Sequence, residues 1–189
     1  MKTFLIFSVL LIAAARTAWA QDAPATPAPD PLVFTDAAMS FTAPPDAVLI
    51  GRQPKTSPDQ LSQDLQTVAA WVVYPGKENA REITLAMEDY AGAPSQWEGQ
   101  FESQTHGAQD GTLIRDRTPM TLLNGMPATF VEIAYGSGFD ARKEFAIVWA
   151  DGQRGVVLSE TVRLGDAGPD EAKQLLKQVT AVAYPVNQP

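Results

Sequence analysis

Two glycine-containing dipeptides constrain the fold of this chain more than any other feature of its sequence. Asn124-Gly125 and Asp151-Gly152 each separate two extended runs, which span residues 112–123, 126–135, 139–150 and 156–162. Asn-Gly and Asp-Gly supply the positive φ angles that tight hairpin turns need. The sequence therefore predicts two antiparallel hairpins in the second half of the chain.

Shorter strand-like runs precede these hairpins. They span residues 32–34, 39–42, 67–74 and 81–90. The first two predict an edge hairpin, because Pro44-Pro45 closes it and proline is tolerated at the end of an edge strand. In the fourth run, Ile83, Leu85 and Met87 alternate with polar residues. That alternation predicts a strand with one solvent-exposed face.

Three segments carry helix signals, each of them opened by a proline. They span residues 57–65, 94–107 and 168–182. Trp97 and Phe101 lie four residues apart on one face of the second helix, and Gly107 is placed to end it. In the third helix, apolar residues at helical spacing continue to Val182. That apolar face is expected to pack on the sheet.

These elements predict one α+β domain, an antiparallel β-sheet with helices packed on it. The helices fall between runs of antiparallel strands and lack the regular alternation that parallel sheets show. We expect the domain to span residues 32–189, after a signal peptide at 1–20 and a Pro-rich linker at 21–31.

The first twenty residues have the pattern of a secretory signal peptide. A basic start at Lys2 precedes an apolar run over 4–15, and Ala18-Trp19-Ala20 places small residues before a cleavage site at Gln21. A retained membrane anchor is the less favoured interpretation, because the run is shorter than the roughly 20 residues of a spanning helix. We therefore predict an exported protein, periplasmic or secreted, with no integral membrane segment after signal cleavage.

The predicted linker reads QDAPATPAPDP and contains almost nothing to bury. Such a composition favours an extended spacer that holds the domain away from its surroundings. The alternative is a recognition peptide for a proline-binding groove.

The charge of the chain limits its partners. The full sequence has 14 Lys and Arg against 22 Asp and Glu, a net charge of -8. Without Lys2 and Arg16, the mature chain has 14 − 2 = 12 basic residues against 22 acidic ones, a charge of -10. A nucleic-acid binder normally has a basic surplus, so no nucleic-acid partner is expected. The chain also contains no Cys, which excludes disulfides and thiolate chemistry.

The order of the elements resembles the PsbP/DcrB-like fold family of small exported domains. The resemblance covers nearly all of residues 32–185 and rests most on the stretch NGMPATFVEIAY, which begins at Asn124. In that stretch, a glycine turn precedes a small residue and a strand. The chain departs from the family where Val48 stands in the region of an expected tryptophan. The resemblance implies a non-enzymatic accessory or binding module.

The sequence shows no catalytic or cofactor-binding motif. His106 is the only histidine, and a favourable interaction with the carbonyl end of the second helix explains its position. Gly136-Ser137-Gly138 lacks the spacing of a nucleophile elbow. The nearest carboxylate pairs are explained as a strand end, a turn and a helix start; they are Glu88-Asp89, Asp110 with Asp116, and Asp170-Glu171. We therefore expect no enzyme activity, no cofactor and no metal site.

A small set of basic residues forms a candidate interaction surface; they are Arg115, Arg117, Arg142 and Lys143. The first two share one face of a predicted strand, and the other two begin another strand. The alternative is cross-strand pairing with Glu132 or Glu144, which is common on the solvent-exposed face of an antiparallel sheet.

Three functions remain open. The first is a protein-protein contact domain of the cell envelope, with an envelope or secreted protein as its partner. The second is a small-molecule or lipid-binding carrier, which needs aromatic side chains to line a pocket instead of filling the core; the candidates are Trp71, Trp97, Phe101, Phe130, Phe145 and Trp149. The third is a hydrolase that uses carboxylates. We rank them in that order, because a contact surface needs no diagnostic motif.

Overall fold

The computed structural model describes residues 30–53, 56–108, 112–136, 141–163, 166 and 168–185. The predicted signal peptide and most of the predicted linker lie outside these residues. Asp110, Ser137 and Gly138 also lie outside them, and so does the side chain of His106.

Ten strands run through the described residues: β1 (Val33–Thr35), β2 (Met39–Thr42), β3 (Ala47–Arg52), β4 (Gln66–Val73), β5 (Arg81–Asp89), β6 (Leu113–Thr121), β7 (Pro127–Tyr135), β8 (Arg142–Ala150), β9 (Arg154–Arg163) and β10 (Val179–Ala181). Two helices accompany them, α1 (Pro94–Ala108) and α2 (Pro169–Leu176). The strands form a small sheet in the order β1-β2-β10 and a large sheet in the order β3-β4-β5-β9-β8-β7-β6. Neighbouring strands are antiparallel throughout both sheets.

The large sheet separates two hydrophobic clusters. One face packs against the small sheet and α2, in a cluster that includes Phe41, Trp71 and Phe130. The opposite face packs against α1 through Trp97 and Phe101. An antiparallel sheet with helices packed on it confirms the predicted α+β class.

Both predicted hairpins form at the predicted turns. β6 pairs with β7 on either side of Gly125, and β8 pairs with β9 on either side of Gly152. The two glycines have φ angles of 93° and 98°, which other residues rarely adopt. In the second turn, the Asp151 carboxylate accepts the backbone N–H of Arg154 at 2.9 Å.

The predicted continuation of the third helix to Val182 is wrong. α2 ends at Leu176, and β10 pairs antiparallel with β2. Val179 and Ala181 are buried and the residue between them is exposed, which is the alternation of a strand. The Asn124 side chain also bonds both backbone polar groups of Ala181, accepting its N–H at 3.2 Å and donating to its carbonyl. Backbone hydrogen bonds to β2 and to the Asn124 side chain therefore make residues 179–181 a strand, although their apolar residues have helical spacing.

The first half of the chain differs from expectation in three places. The helix expected at 57–65 is a single 3₁₀ turn, Pro58–Gln60, because the Ser57 hydroxyl bonds the Gln60 side chain at 3.1 Å and caps no backbone N–H. The hairpin of β1 and β2 is confirmed, but β2 is the central strand of its sheet. No strand is predicted from the sequence at residues 47–52, where β3 forms an edge of the large sheet.

The predicted apolar face of α1 is confirmed. Trp97 has no solvent-exposed surface, and Phe101 is buried beside it. Trp97 lies over Gly155 of β9, where an added Cβ atom would stand 2.7 Å from the indole ring. A glycine at 155 is therefore what lets the helix approach the sheet closely. The helix ends at Ala108, one residue past the expected end at Gly107.

We expect Trp97→Ala to lower the free energy of unfolding by about 3–5 kcal/mol, because it removes a fully buried indole over a glycine and leaves a cavity. Denaturant unfolding checks this. Leu113→Ala is the control, since Leu113 is 53% exposed and a surface change alters stability by about 0.5 kcal/mol or less. An unfolding midpoint that Trp97→Ala leaves unchanged would show that α1 does not depend on this contact.

Candidate functional site

The structure divides the predicted interaction residues among different environments. Arg117 forms an ion pair with Glu102 of α1. Arg115 is exposed at a β-bulge of β6, so simple strand alternation does not relate it to Arg117. Lys143 pairs with Glu132 on the neighbouring strand, with 3.1 Å between Nζ and Oε1. That contact is the cross-strand pairing that the sequence offered as the alternative.

Arg142 differs from the other three. Its side chain is exposed, and it stands directly opposite Arg163 at the end of the β8–β9 ladder. Neither arginine forms an ion pair with any described residue. The structure therefore leaves two directly opposed arginines without a carboxylate partner in the described part of the chain.

The arginine pair forms one wall of a cleft of about 240 Å³ at this end of the large sheet. The β4–β5 loop and the start of β5 form the other wall. The charged residues that line this basic cleft are Lys77, Arg81, Arg142, Arg163, Glu78 and Glu82. Arg81 is paired with the buried Glu160, which leaves three cations against two carboxylates and a locally positive surface on a chain with a net charge of -8.

A buried ion pair at the start of β5 lies on the opposite face of the large sheet from Arg142 and Arg163. Arg81 Nη1 lies 2.9 Å from Glu160 Oε1, and Glu160 has no exposed surface. Burial raises the pKa of Glu160, while the charge of Arg81 opposes that rise. The guanidinium of Arg81 and the ammonium of Lys77 also lie over the Tyr74 ring, at 5.6 and 5.2 Å from its centre. These contacts anchor two of the four cations on one aromatic surface.

The polar groups nearest to Arg142 already have other partners. Glu144, two residues along the same face of β8, is half-buried and bonds the Ser159 side chain. Burial raises the pKa of Glu144, and that hydrogen bond opposes the rise. Tyr135 stands opposite Arg142 on β7 and bonds the Thr161 side chain. Both groups therefore bond residues of β9, and Arg142 itself is exposed.

Sequence reasoning missed three of the four cations of the basic cleft. Arg81 and Arg163 carry a weak signal, because each stands at the end of a predicted strand, where antiparallel neighbours meet. Lys77 lies in a loop and carries no pattern of its own. Only the pairing of β9 with both β5 and β8 brings these residues to one end of the sheet.

A second cleft of about 350 Å³ lies beside the N-terminal end of α1. It is mainly apolar, and Pro94, Pro119 and Pro127 contribute to its walls. Trp149 also lines it, and the indole N–H of this buried residue has no hydrogen-bond partner among the described residues. The aromatic residues that the carrier hypothesis requires are otherwise core; Trp71, Trp97, Phe101, Phe130, Phe145 and Trp149 are all buried.

Glu88 is a buried carboxylate between β5 and α1. It accepts the side-chain amides of Gln100 at 2.6 Å and Gln104 at 3.0 Å. Burial raises its pKa, the Gln104 hydrogen bond opposes that rise, and the charges of Asp64 and Asp89 add to it. Asp89 is exposed on the other face of the strand, so the two neighbours do not form an acid–base pair.

The described residues contain neither a metal-ligand cluster nor a helix that could cross a membrane. No group of three His, Cys, Asp or Glu side chains among them is placed to hold a metal ion. No helix in the same part of the chain is long and apolar enough to cross a membrane.

Solved structures share this architecture. The chain is similar to the cyanobacterial PsbP (CyanoP) of Synechocystis sp. PCC 6803, with a TM-score of 0.56 and 9% identity over 79% of this chain and 91% of that one. The chain has the PsbP-like fold. The resemblance that the order of elements predicted is thereby confirmed for the fold, and identity this low carries no function with it.

Two further solved structures are more distantly similar to this PsbP-like chain. LpqN of Mycobacterium tuberculosis, a protein involved in cell envelope biogenesis, has a TM-score of 0.45 and 18% identity over 78% of this chain and 86% of its own. A protein of Bacteroides thetaiotaomicron VPI-5482 has a TM-score of 0.42 and 12% identity over 76% and 44%. No protein-family model matches the chain, and no curated protein matches it in sequence.

We expect the contribution of Glu88 to stability to fall as pH rises. A carboxyl whose pKa is raised in the folded state binds its proton more tightly there than in the unfolded chain. Its contribution is therefore fully present below the unfolded pKa of about 4.3 and is lost as pH rises through the folded pKa. Denaturant unfolding between about pH 4 and 8 measures this loss, and Glu88→Gln should flatten the profile.

Asp46→Asn is the matched control, because Asp46 is exposed. Its profile should run parallel to that of the wild type. If the Glu88→Gln profile also runs parallel to the wild type, the buried carboxylate does not determine the pH dependence.

Proposed function

We propose that this chain is an exported, non-catalytic accessory domain that acts by protein-protein contact in the cell envelope. The observation that carries the proposal is the basic cleft, with its Arg142–Arg163 pair exposed and without a carboxylate among the described residues. An acidic domain gains nothing in stability from two adjacent like charges. On a contact surface, the same two charges can bind an anionic group of a partner.

The location of the protein rests on its sequence. Residues 1–20 carry the signal-peptide pattern, and residues 21–31 carry the composition of a spacer. The described domain begins where that spacer ends, since the Trp71 indole donates to the Pro31 carbonyl at 2.9 Å. In this proposal the Pro-rich segment serves as a tether.

The resemblance that the sequence shows to the PsbP/DcrB-like group supports the accessory role, because it implies modules without catalytic activity. The two fully buried glutamates of the described domain support it. Glu88 accepts hydrogen bonds from Gln100 and Gln104, and Glu160 pairs with Arg81, so each has a partner inside the fold.

A small-molecule or lipid carrier is the second candidate. The apolar cleft beside α1 favours it, as does the indole N–H of Trp149, which has no hydrogen-bond partner in the described part of the chain. The sequence suggested a carrier whose aromatic side chains line a ligand pocket. No such pocket lies between α1 and the sheet at Trp97, because the indole of Trp97 fills the space down to Gly155. An apolar ligand would have to bind at the edge of the helix.

Affinity capture from envelope extract with mature protein tests the proposal, together with metal analysis and native mass spectrometry of the same sample. We expect a reproducible protein partner, and no stoichiometric metal or small molecule. Capture should weaken at high salt, because exposed charge pairs are screened. A stoichiometric small molecule without a protein partner would replace the proposal with the carrier.

A further inference from the structure

We infer that the basic cleft binds an acidic, extended segment of the protein partner, with Arg142 and Arg163 as its carboxylate-binding residues. The inference rests on the proposed function for the existence of that partner. It adds the chemistry of the segment and the residues that hold it.

The register of β8 and β9 supplies the first argument. Arg142 and Arg163 are directly paired, and both side chains are exposed. Like charges opposite one another on antiparallel strands are destabilising, so the pair works against the fold. Local conflicts of this kind are expected at functional sites, where another molecule resolves them. A bound anion would turn the repulsion into attraction.

The second argument is the geometry of the guanidinium group. Arginine offers a planar fork of donors that binds a carboxylate through two parallel hydrogen bonds. Directly opposed residues hold their Cβ atoms about 5 Å apart. Alternate side chains of an extended strand lie about 7 Å apart on one face, within reach of two neighbouring arginine forks. Two carboxylates at alternate positions of an extended segment therefore match the pair.

The size and charge of the basic cleft supply the third argument. A space of about 240 Å³ is smaller than most pockets for drug-sized ligands, and it suits a few side chains. Glu78 and Glu82 on the opposite wall limit how much negative charge can enter. The net charge of -8 also opposes a long polyanion or an anionic bilayer. A short acidic segment needs only the local positive surface.

Anisotropy of a fluorescent peptide tests the inference with the mature protein at low salt. The probe is an extended peptide of alternating glutamate and threonine, and its control has glutamine in place of glutamate. We expect the wild type to bind the glutamate peptide only. The double variant Arg142→Gln/Arg163→Gln should weaken that binding by about tenfold or more, because it removes two charged forks.

Arg115→Gln/Lys177→Gln is the matched control, because it removes the same charge from two exposed residues that do not line the basic cleft. It should leave peptide affinity within about twofold of wild type. Equal weakening in both variants would overturn the inference in favour of bulk charge. An absence of wild-type binding would also overturn it, as would binding to phosphatidylserine vesicles in place of the peptide.

Denaturant unfolding of the same variants separates a binding role from a structural one. Arg142→Gln/Arg163→Gln should keep or raise the unfolding midpoint, because it removes a like-charge contact. A lowered midpoint would mean that the pair serves the fold.

Affinity capture distinguishes this inference from the proposed function. If the arginine variant captures the protein partner as well as the wild type does, the acidic-segment inference fails and the accessory function stands. If no protein is captured but the glutamate peptide still binds selectively, the preference of the basic cleft for acidic segments is supported and the proposed protein-contact function is overturned.

Discussion

One buried guanidinium connects the parts of this fold that are most distant in sequence. Arg154 has no exposed surface, and its Nε donates to Asp151 at 2.8 Å. Its Nη1 donates to the Asp36 carboxylate at 2.6 Å and to the Thr56 carbonyl at 2.8 Å, and its guanidinium lies 4.5 Å from the centre of the Tyr184 ring. The β8–β9 turn, the β1–β2 turn, the segment before the 3₁₀ turn and the C-terminal segment therefore meet at one side chain. Removing one partner of such a buried pair generally costs about 3–5 kcal/mol, because the others remain buried without compensation.

The same contacts set the geometry of the basic cleft. Asp151 bonds both the backbone N–H and the side chain of Arg154, and the Asp151 N–H donates to the Arg154 carbonyl at 3.1 Å. These bonds close the connection between β8 and β9. The first paired residues of the two strands are Ala150 and Gly155. A two-residue loop at Asp151-Gly152 would place Thr161 opposite Arg142. The longer connection shifts the register by two residues, and the two arginines face one another instead.

Local patterns predicted the elements that depend on neighbouring residues. The Asn-Gly and Asp-Gly turns and the apolar face of Trp97 are such signals, and each matches the structure. The alternation around Ile83 correctly predicts a strand, but the expected solvent-exposed face is wrong in its second half, where Ala86 and Glu88 are buried and α1 packs against Glu88. The missed features depend on partners far along the chain. β3 becomes a strand by pairing with β4, and β10 replaces the end of a helix because β2 and the Asn124 side chain bond its backbone. Arg154 reaches a carboxylate 118 positions away, which no local pattern predicts.

In the candidate site too, local patterns predict single residues, whereas contacts between distant parts of the chain are not predicted. Arg142 was predictable as a basic residue at a strand end, whereas its pairing with Arg163 required the register.

The central claim is that the protein meets its partner at the basic cleft, and photocrosslinking in the producing cells tests it most directly. A photoreactive residue in place of Glu82, which is exposed in the cleft, should form an adduct with a protein at an acidic segment. The same photoreactive residue in place of Thr180, which is exposed on the small sheet, should form no adduct. Equal adducts at both positions, or adducts at position 180 alone, would contradict the account.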